Sequence, residues 1–234
     1  MPPGLFTGLL RRIPSQCAVC RRWPATPVCE QCVQAFAQPQ SRCTTCALPV
    51  PSGVERCGSC LRTPPPLDHC LAALPYAFPW ARLIADFKFH AQTALAPSFA
   101  TLLRSTPWVE PELEACDAVL PIPLGAQRLR ERGYNQAAEL ARALEPRKLQ
   151  TQWLLRTRDT PEQHQLARSE RLKALKGAFA LDPLHAPRLQ GARVVLIDDV
   201  MTTGSTLFEA AGVLRQHGVA HITALALARA DALD

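Results

Sequence analysis

Apolar residues in the last third of the chain follow the two periods that distinguish strands from helices. In RVVLIDD, residues 193–199, an unbroken apolar run, 194–197, precedes the two acids, as expected for a strand buried on both faces of a parallel sheet. STLFEAAGVLRQHG, residues 205–218, is amphipathic and ends at Gly218, a suitable helix C-terminus. AHITALALA, residues 220–228, is a second apolar strand. Strand, helix and strand in this order predict a βαβ unit, and therefore an α/β fold with a parallel sheet.

The middle of the chain carries weaker versions of the same patterns. Residues 76–103 are mostly helical in pattern, with a break expected near Pro97. DAVLPIP, residues 117–123, predicts a short strand that prolines end, and NQAAELARAL predicts a helix whose N-cap is Asn135. Residues 154–179 are polar and charged, without a clear apolar stripe in their first half. Long polar segments of this kind often form lids that cover a binding site, so we expect a lid here.

Three consecutive prolines mark the expected boundary between two parts of the chain. Pro64, Pro65 and Pro66 can continue neither a helix nor a central strand, so they predict a stiff spacer. They divide the 234 residues into a cysteine-rich module, 1–66, and an α/β domain, 67–234. No apolar run approaches the length of a membrane span, and the start of the chain lacks the pattern of a signal peptide. We therefore expect no membrane insertion and a cytoplasmic protein.

Eight of the ten cysteines form four C-x-x-C pairs within residues 17–60. Two residues between cysteines let a tight turn aim both thiolates at one point, and two such turns complete a tetrahedral zinc site. A disulfide framework fits a cytoplasmic protein less well. We therefore expect two structural Zn²⁺ ions in two ribbons, one bound by Cys17, Cys20, Cys29 and Cys32 and the other by Cys43, Cys46, Cys57 and Cys60. An interleaved pairing of the turns, or one site without metal, also satisfies the spacing.

Positive charge is concentrated in the cysteine-rich module. Residues 1–66 hold seven arginines and two acidic residues, which account for +5 of the formal +6 of the chain. Two Zn²⁺ ions and eight ligand thiolates would lower this charge to about +1. The arginines alone therefore give only weak support for nucleic-acid binding.

VVLIDDVMTTGST, residues 194–206, places two acids and a hydroxyl-rich loop where a buried strand ends. Ligands of parallel sheets bind at the carboxyl ends of the strands, and the N-terminus of a following helix attracts anions. Gly204 allows a close approach of the backbone to such an anion. Four neighbours add hydroxyl donors without charge, namely Thr202, Thr203, Ser205 and Thr206. The loop therefore suits a phosphate group.

The two acids extend this site towards a sugar. Asp198 and Asp199 would accept hydrogen bonds from vicinal hydroxyls while the loop holds the phosphate. A P-loop is excluded because the stretch lacks the lysine that such a loop requires. Adjacent acids at a strand end can also form a divalent-metal site, but the hydroxyl-rich loop has no purpose there. A sugar phosphate is the ligand that this pattern favours.

This stretch resembles the phosphoribosyl pyrophosphate (PRPP) signature of type I phosphoribosyltransferases. The chain as a whole is similar to the ComF family, which is associated with DNA uptake in competent bacteria. The similarity is carried by the paired C-x-x-C turns and by LIADFKFH, PIPLGAQRLRERGYNQ and TPEQHQLARSERLKALKGAF. It implies a type I phosphoribosyltransferase-like fold, with a parallel sheet flanked by helices, after a double zinc ribbon. It also implies PRPP binding with Mg²⁺.

The resemblance assigns roles to residues at matching positions. Asp198 and Asp199 match the acid pair that faces the ribose hydroxyls, and residues 202–206 match the loop for the 5′-phosphate. Lys88 matches a family lysine for which the sequence suggests no physical role. The pyrophosphate would be contacted by basic residues of two further segments, Arg128, Arg130, Arg132, Arg171 and Lys173. Ala174 stands where the family usually has asparagine, a departure in the expected lid that bears on catalysis rather than on binding.

Two functions are consistent with these expectations. As an enzyme, the protein would catalyse displacement of pyrophosphate from the ribose anomeric carbon by an unknown acceptor, expected to be a nitrogen. It would contribute positioning, charge neutralisation and exclusion of water. As a non-catalytic PRPP sensor or adaptor, it would use the zinc ribbons to bind nucleic acid or protein. The family association makes single-stranded DNA and DNA-uptake proteins the candidate partners.

Overall fold

The computed structural model describes three stretches of the chain, residues 16–23, 26–158 and 177–231. The chain divides into two compact units, Met1–Gln38 and Pro39–Asp234. The smaller unit contains the first two C-x-x-C turns and a short helix, α1 (Glu30–Phe36). The larger unit contains the other two turns and the α/β domain. Among the described residues, no helix has both the length and the apolar character needed to cross a membrane.

The larger unit alternates helices and strands, as an α/β fold requires. Its helices are α2 (Gly58–Arg62), α3 (Trp80–Phe89), α4 (Ala96–Arg104), α5 (Val109–Ala115), α6 (Ala126–Arg132), α7 (Gln136–Leu144) and α8 (Ser205–Gln216). Its strands are β1 (His69–Pro75), β2 (Ala118–Pro121), β3 (Leu154–Arg156), β4 (Phe179–Leu181), β5 (Arg193–Met201) and β6 (His221–Arg229). Short 3₁₀ helices span Thr93–Leu95 and Ala186–Leu189.

Four of the strands form one parallel sheet in the order β1-β6-β5-β2. β5 is paired on both sides, with Val195 opposite Val119 of β2 and opposite Thr223 of β6. Its apolar residues 194–197 are almost fully buried, because both faces of a central parallel strand are covered. The parallel α/β fold expected from the strand–helix–strand pattern is confirmed.

The flanking helices begin and end for local reasons. The side chain of Asn135 caps α7, accepting hydrogen bonds from the N–H groups of Ala137 at 2.9 Å and Ala138 at 3.4 Å. The break between α3 and α4 lies earlier than the sequence suggests. α3 already ends at Phe89, and Pro97 lies in the first turn of α4, where its missing N–H costs no hydrogen bond.

Two segments for which the sequence patterns predict no helix or strand contain regular structure at the described positions. The segment after β2 forms the two-turn helix α6, which ends at Gly133 with a φ of 78°. The polar segment 154–179 begins and ends in the short strands β3 and β4, which pair antiparallel with Leu155 opposite Ala180. Residues 159–176, the interior of this expected lid, lie outside the described residues.

The third and fourth C-x-x-C turns are part of the core of the larger unit. Cys43 and Cys60 belong to the same buried cluster as Cys70 of β1. The N–H of Cys70 donates a hydrogen bond of 2.7 Å to the carbonyl of Thr44, which lies between two of the clustered cysteines. The division of the chain at Gln38 thus separates the two cysteine clusters. The boundary that the three prolines suggest, between 1–66 and 67–234, stays a prediction.

Candidate functional site

β5 leads into a short hydroxyl-rich loop that ends at the N-terminus of α8. Thr203 Oγ1 and Ser205 Oγ lie 2.7 Å apart, and the N–H of Ser205 faces Thr203 Oγ1 at 3.4 Å. The loop encloses a cavity of about 70 Å³ that also has Asp198 in its wall. No described residue lining the cavity carries a positive side chain. The attraction for an anion therefore comes from hydroxyls and from the N-terminus of a twelve-residue helix.

Gly204 shapes this loop. It immediately precedes α8 and has a φ of 83°, a left-handed conformation that side chains disfavour. A Cβ at this position would lie 2.5 Å from Met201 Cε and 2.6 Å from Phe208 Cζ. Any larger residue would therefore strain the left-handed backbone and push these two side chains aside.

The two acids lie within β5 rather than beyond its end, since the strand continues to Met201. Asp199 is only 3% exposed, and its Oδ1 lies 3.1 Å from the Nζ of Lys88 on α3. Its other oxygen, Oδ2, is buried and has no hydrogen-bond partner among the described residues. A buried, unsatisfied carboxylate oxygen costs free energy until a ligand donates a hydrogen bond to it.

Asp198 is half-buried beside Asp199, and its Oδ1 accepts a hydrogen bond of 2.9 Å from the N–H of Asp199. Burial and, to a smaller degree, the charge of Asp199 raise the pKa of Asp198 to about 8, against a smaller opposing effect of Lys88. The free site therefore holds a proton on Asp198 at neutral pH. A ligand that needs both carboxylates ionised must displace that proton.

Lys88 also lines a second cavity, of about 210 Å³. The other lining residues come from α6 and from the ends of the neighbouring segments, and they are Phe89, Ala91, Arg128, Glu131, Arg132 and Tyr134. The guanidinium of Arg132 lies 4.8 Å from the ring centroid of Phe89, which fixes its position over the aromatic face. Three cationic side chains against one carboxylate make this cavity basic.

The structure separates the three arginines of α6. Arg128 and Arg132 are four residues apart and line the same cavity, because such residues share one face of a helix. Arg130 is exposed and is not among the lining residues. Arg171, Lys173 and Ala174 lie outside the described residues, so their roles stay predictions.

The physical role of Lys88 could not be read from the sequence, because its partner is distant in the chain. A lysine in the last turn of a helix is usually a surface residue. Here the packing of α3 places it, 18% exposed, between the acid pair and the basic cavity. The match of Lys88 to a family lysine drew attention to this position, but it did not indicate a partner.

Arg229, the last residue of β6, also escaped the sequence patterns. It is 4% exposed, and its Nε donates a hydrogen bond of 2.8 Å to the carbonyl of Cys46. Its Nη1 donates to the carbonyl of Met201 at 3.0 Å and to that of Thr202. The side chain thus connects the second cysteine cluster with the start of the hydroxyl-rich loop.

The eight paired cysteines converge in the two groups of four that the sequence suggests, and their sulfurs lie within 4.8 Å of one another in each group. The Sγ atoms of Cys17 and Cys32 are 3.8 Å apart, and those of Cys46 and Cys57 are 3.7 Å apart. Tetrahedral zinc with Zn–S bonds of about 2.3 Å requires S···S distances of about 3.8 Å. Both clusters are therefore compatible with structural zinc.

The two clusters also repeat the same backbone contact to one sulfur. The N–H of Cys29 donates to Cys17 Sγ at 3.4 Å, and the N–H of Cys57 donates to Cys43 Sγ at 3.3 Å. Although burial raises the pKa of these two thiols, hydrogen bonds to them lower it to about 6 in each. A thiol that ionises near neutral pH is ready to bind a metal.

Comparison with known proteins places this geometry in a family. The phosphoribosyl transferase domain model matches residues 129–233. The DNA utilization protein YhgH of Escherichia coli O157:H7 is 34% identical, over 93% of this chain and 98% of that protein. Competence protein F of Haemophilus influenzae is 33% identical, over 86% and 89% of the two chains. Competence protein ComFC of Bacillus subtilis is 30% identical, over 58% and 54%.

The first two similarities cover both the cysteine-rich part and the α/β domain, since they extend over most of each chain. The domain match covers β5, the loop and α8, which build the candidate site. With this fold, these cysteine clusters and these relatives, the chain belongs to the ComF family of proteins that carry a phosphoribosyltransferase domain.

Proposed function

We propose that the α/β domain binds PRPP and transfers its phosphoribosyl group to an acceptor, with release of pyrophosphate. The observation that carries this proposal is the position of Lys88, which pairs with Asp199 and also lines the basic cavity. One side chain thus joins carboxylates that suit ribose hydroxyls to a cationic surface that suits pyrophosphate. The uncharged loop beside Asp198 supplies the place for a 5′-phosphate.

The acid pair would bind the ribose. Asp199 Oδ2 is buried without a partner, so a ribose hydroxyl that donates to it satisfies an otherwise costly group. Asp198 lines the phosphate cavity and lies next to Asp199, so it can accept from the neighbouring hydroxyl once its proton has left. The 5′-phosphate would accept hydrogen bonds from the hydroxyl groups of residues 202–206.

The basic cavity would bind the pyrophosphate. Arg128 and Arg132 would donate charge-assisted hydrogen bonds to its oxygens, and Lys88 would add a third positive charge. Mg²⁺ would enter as part of the substrate complex and neutralise further charge on the pyrophosphate. Arg130 has no place in this arrangement, because it lies outside the cavity.

In the reaction, the bond between the anomeric carbon and the pyrophosphate oxygen breaks, and the electron pair leaves with the oxygen. A lone pair of the acceptor forms the new bond, and the acceptor nitrogen then loses a proton to solvent or a base. The chain contributes alignment of the ribose and stabilisation of the departing negative charge. Arg171 and Lys173 would reach the pyrophosphate when the segment that contains Ala174 closes.

A second candidate is a PRPP sensor that binds without turnover and passes the signal to a partner. The contact of Arg229 with both Cys46 and Thr202 favours it, because it connects the ligand loop to a metal cluster. The relatives are named for DNA utilization and competence. A role in the use of incoming DNA, in the cytoplasm and with single-stranded DNA or DNA-uptake proteins as partners, is consistent with either candidate.

The test is release of pyrophosphate from PRPP and Mg²⁺, screened against nucleobases and small amines, with PRPP binding measured in parallel. Turnover supports the transferase, and saturable binding without turnover supports the sensor. Lys88→Met is the control, because it removes the charge shared by the two halves of the site. If Lys88→Met releases pyrophosphate as fast as the parent, the reaction does not take place at the proposed site. Absence of PRPP binding would contradict both candidates.

A further inference from the structure

The opposite edge of the parallel sheet carries a second cluster of metal-binding side chains. His69 and His221 are the first residues of β1 and β6, whereas the candidate phosphate loop follows the last residue of β5. A nine-residue strand such as β6 spans about 26 Å at about 3.3 Å per residue. This cluster therefore lies a full strand length from the proposed PRPP site and takes no part in it.

The sheet register places the clustered side chains on one face. His221 and Thr223 are two residues apart in β6, so they point to the same side of the sheet. His69 pairs with Thr223, and Arg193 of β5 pairs with His221, so both share that side. Glu112 reaches this face from α5 and contacts all four of them.

The carboxylate of Glu112 lies between the two imidazoles. Its Oε1 is 2.7 Å from His69 Nδ1, and its Oε2 is 3.3 Å from His221 Nε2. One nitrogen or oxygen from each of the three residues lies within 4.8 Å of the other two. Two histidines and one glutamate are a ligand set that Zn²⁺ uses in sites with an open fourth position. Small rotations of the side chains would bring the three atoms to bonding distance of one ion.

His221 also faces a second carboxylate. Its Nδ1 lies 3.7 Å from Asp68 Oδ2, on the opposite side of the ring from Glu112. Asp68 is itself held by Arg215 and by the N–H of Ile222. The other ring nitrogen, Nε2, contacts Glu112 and also lies 3.2 Å from Thr223 Oγ1. A metal that replaced these contacts of Nε2 would leave Nδ1 facing a carboxylate, an arrangement common for metal-binding histidines.

The cluster is partly open to solvent. The side chain of His69 is 49% exposed, which provides a path of entry and a place for a water ligand. Glu112 and His221 are 12% and 19% exposed, so two of the three ligands are fixed by packing. Arg193 lies 3.8 Å from Glu112 Oε2 and is the group that a bound cation would repel. Its side chain is 42% exposed and can turn into solvent.

We propose that His69, Glu112 and His221 form a third metal site, selective for a divalent transition ion such as Zn²⁺, which fastens α5 to the first residues of β1 and β6. The site uses imidazole and carboxylate ligands and is open, whereas the two cysteine clusters use four thiolates. It should therefore exchange metal more readily than they do. Its role is to stabilise the edge of the sheet opposite the proposed PRPP site.

The experiment uses the full chain with its cysteine clusters loaded with Zn²⁺ and with loosely bound ions removed by a mild chelating resin. Equilibrium dialysis against Zn²⁺ should then show one further equivalent per chain, and added Zn²⁺ should raise the Tm. His69→Ala changes a half-exposed residue and should weaken the extra equivalent at least tenfold and abolish the rise in Tm. Glu112→Gln should do the same.

His217→Ala is the matched control, since His217 is exposed just after α8 and its ring nitrogen hydrogen-bonds to the carbonyl of Val213. This variant should bind the extra equivalent as the parent does. The proposal is overturned if the parent binds no further Zn²⁺, or if His69→Ala and His217→Ala bind it equally well. Circular dichroism checks that each variant is folded before dialysis.

Discussion

Arg229 and Cys46 are 183 residues apart in the chain, yet the guanidinium Nε of one lies 2.8 Å from the carbonyl oxygen of the other. The same guanidinium holds the carbonyls of Met201 and Thr202. The order of the second cysteine cluster and the order of the phosphate loop therefore depend on one buried cation. A change at either end should be felt at the other.

Arg229→Lys should lower the free energy of unfolding by about 2–3 kcal/mol, because a lysine cannot replace the fork of donors and leaves buried carbonyls unpaired. The affinity for ribose 5-phosphate should fall about tenfold, the equivalent of about 1.4 kcal/mol of lost loop alignment. Urea unfolding and calorimetric titration measure the two effects. Arg188→Lys, at an exposed position, should change neither. Equal behaviour of the two variants would contradict the bridging role of Arg229.

Gly204→Ala should abolish phosphate binding, because the new Cβ meets Met201 and Phe208 at 2.5 and 2.6 Å in a left-handed backbone. Stability should fall by about 1–3 kcal/mol from the backbone strain. Gly212→Ala provides the comparison within α8, where a Cβ meets no atom within 4 Å. It should stabilise the helix by about 0.5–1 kcal/mol and leave binding intact. Thermal unfolding and ribose 5-phosphate titration distinguish the two.

Asp198→Asn should make the free protein more stable at pH 8. The pKa of Asp198 is raised in the folded state to about 8, so the stability linked to its proton is fully present below about pH 4 and is lost as pH rises towards 8. Asparagine does not ionise, so the variant avoids this loss of stability. Its Tm at pH 8 should be about 3–5 °C above that of the parent, the change expected when a pKa is raised by at least one unit on folding. A variant with the parent's pH–Tm profile would show that Asp198 titrates normally.

The affinity for PRPP should also depend on pH through the proton of Asp198. Binding of the ribose requires Asp198 to release its proton, so affinity for PRPP with Mg²⁺ should rise from pH 6.5 to about pH 8 and then level off. The dependence should be absent in Asp198→Asn, whose affinity is low at every pH. Titration calorimetry in buffers of different ionisation enthalpy would detect the released proton directly.

Arg132→Ala should weaken PRPP binding by about 1.5–3 kcal/mol, since it removes one charge-assisted contact to the pyrophosphate. Binding of ribose 5-phosphate should be nearly unchanged, because that ligand has no pyrophosphate. Arg130→Ala, two residues away on the exposed face of α6, is the control and should bind both ligands as the parent does. A similar loss in both variants would place the pyrophosphate outside the basic cavity.

The sequence predicts the parts of this site that are contiguous in the chain. β5, the acid pair, the hydroxyl loop and Gly204 lie within residues 193–206, so strand period and loop composition suffice to place them together. The two cysteine clusters are predicted for a similar reason, because each is built from two turns with a short link. In both cases the residues that form the site are close together in the chain, so their spacing alone predicts it.

The parts contributed by distant residues could not be predicted in the same way. Lys88 reaches Asp199 from a helix more than 100 residues earlier, and His69 meets His221 only because β1 pairs with β6. Contacts of this kind depend on the order of the strands in the sheet. The local hydrophobic pattern of a single sequence does not show that order. α6 also escaped the sequence patterns, because its seven residues are too few to show a clear helical stripe.

Strand order also determines when the chain can fold. β6 lies between β1 and β5 in the sheet. These two strands therefore cannot be joined until residues 221–229 have been synthesised. On the ribosome, therefore, the second cysteine cluster gains its contact with Arg229 only when the last strand has been made. A ribosome-bound chain that stops before β6 would expose the apolar edges of β1 and β5, the kind of surface that chaperones cover. The C-terminal strand is thus the last to join the sheet, and only its pairing with β1 and β5 allows the sheet to fold cooperatively.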